Sequence, residues 1–225
     1  MKKRLGCLHA HYSNIDYIES ALSSYEIELS HFVDPGLLQR VTNDESFTDW
    51  AAEKKVKNQI EWIGQTGVDA ILITCTNYIA LLKKEQLAMS VPIFLIDEPY
   101  FEAICRIQLP QTILFTNPAT VSGTMNRLHE YAHIHQKTVD IEAVIIENTF
   151  DLIMRGQKEE YLKQVSSALK KMNEQRVVSV AQLSMVPAAQ EVELQTSKKV
   201  INPLNTLVSS IVGQLDLLKK ESGSQ

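Results

Sequence analysis

Apolar residues change their spacing repeatedly along this chain, and each change marks an element. Residues 5–8 form an apolar run of strand length, and the stretch 14–22 then carries apolar positions at helical spacing. Ser13 and Asp16, three apart, are spaced like a capping pair at the start of that helix. A second strand is expected over 27–33, broken by Asp34-Pro35-Gly36, and Val56, Ile60 and Ile63 predict a polar-faced helix that stops at 64–67. The pattern continues with a buried strand over 68–74, a helix over 78–89, a strand over 92–96 and a helix over 100–107.

A second series opens at 112–115, followed by Thr116-Asn117-Pro118, where proline suits a first helical position and Thr116 or Asn117 suits the cap. A helix ending near His135, a strand over 139–146 and a helical region over 149–172 broken at Gly156 come next. The series closes with strands at 177–181 and 200–201, an amphipathic helix over 204–218 and a polar tail over 221–225. Alternating strands and helices specify an α/β protein with parallel sheets rather than a bundle or a sandwich. Because the series restarts near residue 110, the expectation is two pseudo-symmetric, Rossmann-like parallel-sheet domains with a ligand cleft between them. The boundaries implied are 1–108 plus 202–225 for the first lobe and 109–201 for the second.

Composition narrows the function classes. A net charge of −5 over 225 residues, with lysines scattered, provides no basic stripe for nucleic acid. No apolar run approaches bilayer length, and the basic start Lys2-Lys3-Arg4 is followed by Gly6, His9, His11 and Ser13 rather than a signal-peptide core. The expectation is a cytoplasmic protein without a membrane partner. Three widely separated cysteines, Cys7, Cys75 and Cys105, have neither metal-type spacing nor a disulfide pattern, which suits a reducing compartment.

Cys75 is the first candidate for chemistry. It lies in Thr74-Cys75-Thr76-Asn77, where a buried strand gives way to a helix, and helix amides and neighbouring hydroxyls there favour thiolate. Against this stands the ordinary use of free cysteine as a buried, inert residue. Three other turns follow strands with a similar composition: His9 to Asn14, Thr116 to Thr120, and Gln182-Leu183-Ser184-Met185. Such side chains, with backbone N–H groups, hold small carboxylates, although capping is their commonest use. His9 and His11, two apart in an extended segment, would share a face; with no third ligand at a recognisable spacing, no metal is assigned. His129, His133 and His135 are read as a solvated helical face rather than a zinc site, Asp97 equally as a general base or an acidic helix cap and outside the catalytic set, and Cys7 and Cys105 as core.

Segments 71–77, 115–121, 148–156 and 180–185 resemble, in this order, the signature segments of the aspartate/glutamate/hydantoin racemase superfamily. The resemblance implies two α/β domains, no cofactor, a small amino acid or dicarboxylic acid as substrate, and a homodimer. It also implies a cysteine from each domain flanking the substrate α-carbon. Cys75 matches the first cysteine, and Thr76 and Asn77 match the polar pair that binds substrate; Asn117 and Thr120 match the carboxylate segment. The second cysteine is replaced by Gln182, which cannot transfer a proton.

The expected site is therefore Cys75 as acid, base or nucleophile, with His9, Ser13, Thr74, Thr76, Asn77, Thr116, Asn117, Thr120, Gln182 and Ser184 around the substrate. Two alternatives stay open: a one-thiol decarboxylase, and a non-catalytic carboxylate-binding protein on the same scaffold.

Overall fold

The computed structural model describes residues 2–82 and 89–221. Its strands form two four-stranded sheets, parallel throughout. The first contains β1 (Lys3–His9), β2 (Ile27–Val33), β3 (Ala70–Ile73) and β4 (Ile93–Leu95) in the order β2-β1-β3-β4. The second contains β5 (Gln111–Phe115), β6 (Ile141–Ile145), β7 (Val177–Val180) and β8 (Val200–Ile201) in the order β6-β5-β7-β8. Each series follows one plan: its first strand is central, the second and third flank it, and the fourth lies beyond the third. The restart near residue 110 is the beginning of this second sheet.

Parallel strands need crossovers, and helices supply them. In the first series these are α1 (Asn14–Leu22), α2 (Pro35–Asn43), α3 (Asp49–Gly64) and α4 (Thr76–Leu81). From there the chain forms α5 (Glu98–Cys105), α6 (Val121–Ile134), α7 (Thr149–Met154), α8 (Lys158–Lys171), α9 (Val186–Gln195) and α10 (Pro203–Gln214). Helix α3 buries Ala52, Val56, Ile60 and Ile63, one stripe at helical spacing. Within the expected helix over 78–89, α4 begins two residues early and ends at Leu81, while 83–88 lie outside the described residues. The expected helix over 149–172 is divided at Gly156, whose φ of +74° is the left-handed conformation that favours glycine.

Two helices have no counterpart in the sequence reading. At α2, Asp34-Pro35-Gly36 starts a helix instead of merely ending a strand. The Asp34 carboxylate accepts from the Leu37 amide at 3.1 Å, and Pro35 occupies the first turn, where its missing N–H is no loss. At α9, Pro187 opens the helix in the same manner, and Val186, Ala188, Ala189 and Val192 are buried. The capping pair expected at α1 does not form: Ser13 makes no side-chain cap, because its hydroxyl is bonded to His11 Nδ1 at 2.8 Å.

The chain divides into two units, Met1–Ile96 with Leu207–Gln225, and Asp97–Thr206. The last boundary falls at 206/207 rather than 201/202, and the first at 96/97 rather than 108/109 because α5 has its apolar face in the second core. There Tyr100, Phe101, Ile104 and Cys105 pack with Ile113, Phe115, Leu128 and Ala132. On the first unit's side, the C-terminal segment is held by the Glu26 amide on Leu218 O and the Lys220 amide on Ser24 O, each at 2.8 Å. Strand alternation explains why β5 is buried throughout. Ile113 and Phe115 enter one buried cluster and Leu114 the opposite one, with Tyr161, Val165, Val180, Met185 and Val192. Among the described residues, no helix is long and apolar enough to cross a membrane.

Candidate functional site

In an open parallel sheet, the crevice beyond the carboxyl ends of the strands opens where the strand order reverses. Each unit has such a point, between β1 and β3 in the first and between β5 and β7 in the second. The turns carrying most of the expected residues leave the sheets at these points.

In the first unit, β1 ends at His9, and Thr74 follows the end of β3. His9 Nδ1 and Thr74 Oγ1 are 2.8 Å apart, joining the two strand ends across the switch point. Thr74 is buried and its hydroxyl is saturated, donating to Leu8 O and accepting from Asn14 Nδ2, both at 3.3 Å. The second His9 nitrogen, Nε2, lies 2.8 Å from His31 Nδ1, and His31 Nε2 lies 3.1 Å from Glu19 Oε1. Burial and the neighbouring His31 push the His9 pKa down to about 4. His9 is fully buried with both nitrogens engaged, so within this unit it supports Thr74 from behind. His11 does not share its face: it lies beyond β1, exposed, and is bonded to Ser13.

Cys75 is the N-terminal boundary residue of α4, in extended conformation. It is partly accessible, whereas Cys7 and Cys105 are buried. Backbone N–H groups of Tyr78 and Asn77 donate to the sulfur, but burial outweighs them and raises the thiol above its ordinary 9.0. The expected preference for thiolate is thus reversed: the amides are present, yet desolvation of the charged sulfur is the larger effect. Cys75 rests as a thiol at neutral pH. Thr76 is partly buried and Asn77 exposed, on the same turn.

In the second unit the hub is Gln182, which follows β7. Its side-chain carbonyl Oε1 accepts from the Thr116 amide at 2.7 Å, the Thr116 hydroxyl at 2.8 Å and the Asn117 amide at 3.1 Å. Two of these donors are backbone N–H groups, which fixes which end of the amide faces them. Thr116 is buried, and its hydroxyl also lies 3.1 Å from the Tyr161 hydroxyl, which is 2.7 Å from Ser184 Oγ. The Asn117 side chain caps the following 3₁₀ turn through the Ala119 amide at 3.0 Å, and Thr120 Oγ1 donates to Asn117 O at 2.9 Å. The expected residues of this unit therefore form one connected turn, with Tyr161 as a member the sequence reading missed. The nearest hint was its place at helical spacing with Val165 and Leu169 on α8.

Asp97 does not cap α5 with its side chain. It is buried and paired with Arg127 Nε of α6 at 2.8 Å. His129 and His133 are exposed on α6, as a solvated face requires.

Two parallel sheets of identical strand order, each gathering polar side chains at its reversal point, define a two-domain α/β protein whose fold is similar to that of solved aspartate, glutamate and allantoin racemases. Particular solved structures carry that likeness over nearly the whole chain. The aspartate racemase of Picrophilus torridus matches with a TM-score of 0.69 at 12% identity, over 97% of this chain and 96% of its own. The glutamate racemase of Thermus thermophilus, in complex with β-chloro-D-alanine, matches with a TM-score of 0.66 at 14% identity, over 96% and 81%. The allantoin racemase of Klebsiella pneumoniae matches with a TM-score of 0.60 at 18% identity, over 98% and 91%. At these identities the likeness is one of fold. No protein-family model matches the chain, and no curated protein matches it.

Proposed function

We propose that this chain is a cofactor-independent enzyme of the racemase or isomerase type, acting on a small amino acid or dicarboxylic acid through the thiol of Cys75. The observation that carries the reading is the placement of Cys75. It is the accessible cysteine of the three, at the switch point of its sheet, with two backbone amides directed at the sulfur. A fold shared with aspartate, glutamate and allantoin racemases supports the substrate class.

The chemistry follows from the protonation state. The thiol first releases its proton to solvent. The thiolate then takes the substrate α-proton, an S–H bond forming as the C–H bond breaks and the electron pair staying on a carboxylate-stabilised carbanion, and the thiol returns a proton to that carbon as sulfur regains its charge. The amides of Asn77 and Tyr78 stabilise the thiolate at both ends of this cycle. Thr76 and Asn77 are assigned to the substrate carboxylate, with Ser13 beside them and Thr74 as a positioning residue. In the second unit, Asn117, Thr120 and Ser184 are assigned as polar contacts, with Thr116 and Gln182 setting the shape of their turn. Gln182 has no acidic proton to exchange, so proton transfer is assigned to a single thiol.

Hydrogen exchange tests this directly. Aspartate, glutamate, allantoin and a set of small dicarboxylic acids would be incubated with the protein in deuterated water and followed by proton NMR. Loss of an α-hydrogen signal with wild type, absent in Cys75→Ser, is the expected result; equal exchange in both proteins excludes the thiol. Gln182 favours a second reading, a carboxylate-binding protein without turnover. That reading gains if a carboxylate raises the melting temperature by mass action while wild type produces neither exchange nor product.

A further inference from the structure

A cluster outside the Cys75 chemistry lies inside the first unit. Cys7 and His9, two apart on β1, project to one face of the strand, and parallel pairing sets His31 of β2 opposite Cys7. A sulfur and one ring nitrogen from each histidine all lie within 4.8 Å of one another. We propose that Cys7, His9 and His31 form a binding site for a divalent metal ion of the zinc type.

The orientation of the rings carries the argument. His9 Nε2 and His31 Nδ1 face each other at 2.8 Å, while the outer nitrogens are held by Thr74 Oγ1 at 2.8 Å and Glu19 Oε1 at 3.1 Å. Metal-bound imidazoles characteristically donate their other N–H to a carboxylate or similar acceptor, which fixes the tautomer. Once an ion sits between the rings, both outer nitrogens can donate to these acceptors while each inner nitrogen offers its lone pair to the metal in place of the hydrogen bond the two rings now share.

A tetrahedral ion would adjust the ligand separations, which now lie within 4.8 Å. Zinc bonds of roughly 2.0–2.1 Å to nitrogen and 2.3 Å to sulfur imply separations of about 3.3 Å between the nitrogens and about 3.6 Å from nitrogen to sulfur. The two rings would separate by about half an ångström from their hydrogen-bonded distance.

The charges also close. On binding, the Cys7 S–H bond breaks, its proton leaves to solvent and the thiolate becomes a ligand. Zinc and one thiolate leave a single positive charge, which the Glu19 carboxylate offsets. Three protein ligands leave a fourth position for water. Cys7 and His9 are fully buried, whereas the side chains of His31 and Glu19 are 13% and 55% exposed, which marks a route from the surface. The ion would tie β2 to β1 and, through His9, to Thr74, the residue before Cys75.

The test uses the full chain stripped of metal by a chelator and titrated with Co(II). Wild type should bind one ion, giving a thiolate-to-cobalt charge-transfer band in the near ultraviolet and the visible bands of tetrahedral cobalt, and Zn(II) should displace it. Cys7→Ser should lose the charge-transfer band and Cys105→Ser should keep it. Glu19→Ala should weaken binding by about 10–100-fold. Glu19 is exposed, so this last variant keeps the test decisive if Cys7→Ser does not fold. Absence of cobalt uptake by wild type, a charge-transfer band that survives Cys7→Ser, or an unchanged affinity in Glu19→Ala overturns the proposal and leaves the cluster a hydrogen-bonded core network. None of these readouts depends on turnover, so they stand apart from the outcome of the exchange experiment.

Discussion

Gln182 and Thr116 are joined twice across the β5–β7 switch point, the side-chain carbonyl accepting from the amide at 2.7 Å and from the hydroxyl at 2.8 Å. Together with the Asn117 amide, this places three donors on one oxygen. Gln182→Ala leaves two backbone N–H groups without that acceptor and should lower stability by about 1–3 kcal/mol. Gln182→Glu retains an oxygen for the same donors and should lose less. Urea unfolding of both variants checks this, and equal losses would show that the shared oxygen is not what holds the turn.

The thiol of Cys75 should titrate late. Because burial raises its folded pKa above the ordinary 9.0, the midpoint of its iodoacetamide reactivity should lie above that of a free thiol. The same shift sets a sign for stability. The thiol's contribution is fully present below the unfolded pKa of 9.0 and is lost as pH rises from there through the folded pKa, since the unfolded chain releases its proton first. A midpoint below the free-thiol value would mean that the Asn77 and Tyr78 amides outweigh burial.

Arg127 and Asp97 form an ion pair with side-chain exposures of 21% and 6%. Removing one partner leaves a charge in a poorly solvated place, so Arg127→Leu should destabilise the protein by about 3–5 kcal/mol. Adding Asp97→Asn to that variant should recover part of the loss, read as a non-additive double-mutant cycle in thermal or urea unfolding. Strict additivity would mean that the pair is uncoupled.

Gly6 of β1 faces Ile63 of α3 so closely that an added Cβ would overlap the Ile63 Cγ2 methyl. Gly6→Ala should therefore lower stability by roughly 1–3 kcal/mol through overpacking. Shortening the neighbour in Gly6→Ala/Ile63→Ala should give a smaller loss than the two single losses added together. If the losses simply sum, contact with Ile63 is not the cause.

How far the site could be read from sequence differs between its two turns. Thr74 to Asn77 follows a four-residue strand that is buried throughout, so both its position at a strand end and its turn to helix were legible. The partners of His9 were not. A pair at i and i+2 pointed to His11, but strand β1 ends at His9, and parallel pairing brings His31 instead. The missed helix α2 has a local cause: Asp34-Pro35-Gly36 reads as a break, although proline in the first turn starts the helix.

By itself the sequence determined the α/β alternation, the restart near residue 110 and the strand-end place of Cys75. These are consequences of periodicity and residue type, which act over a few positions. Only the tertiary structure decided that α5 packs in the second core, that Glu19, His31 and Cys7 gather around His9, and that the Cys75 thiol holds its proton. Each of these depends on strand pairing or burial among residues far apart in the chain, where local pattern carries no information about solvation or neighbours.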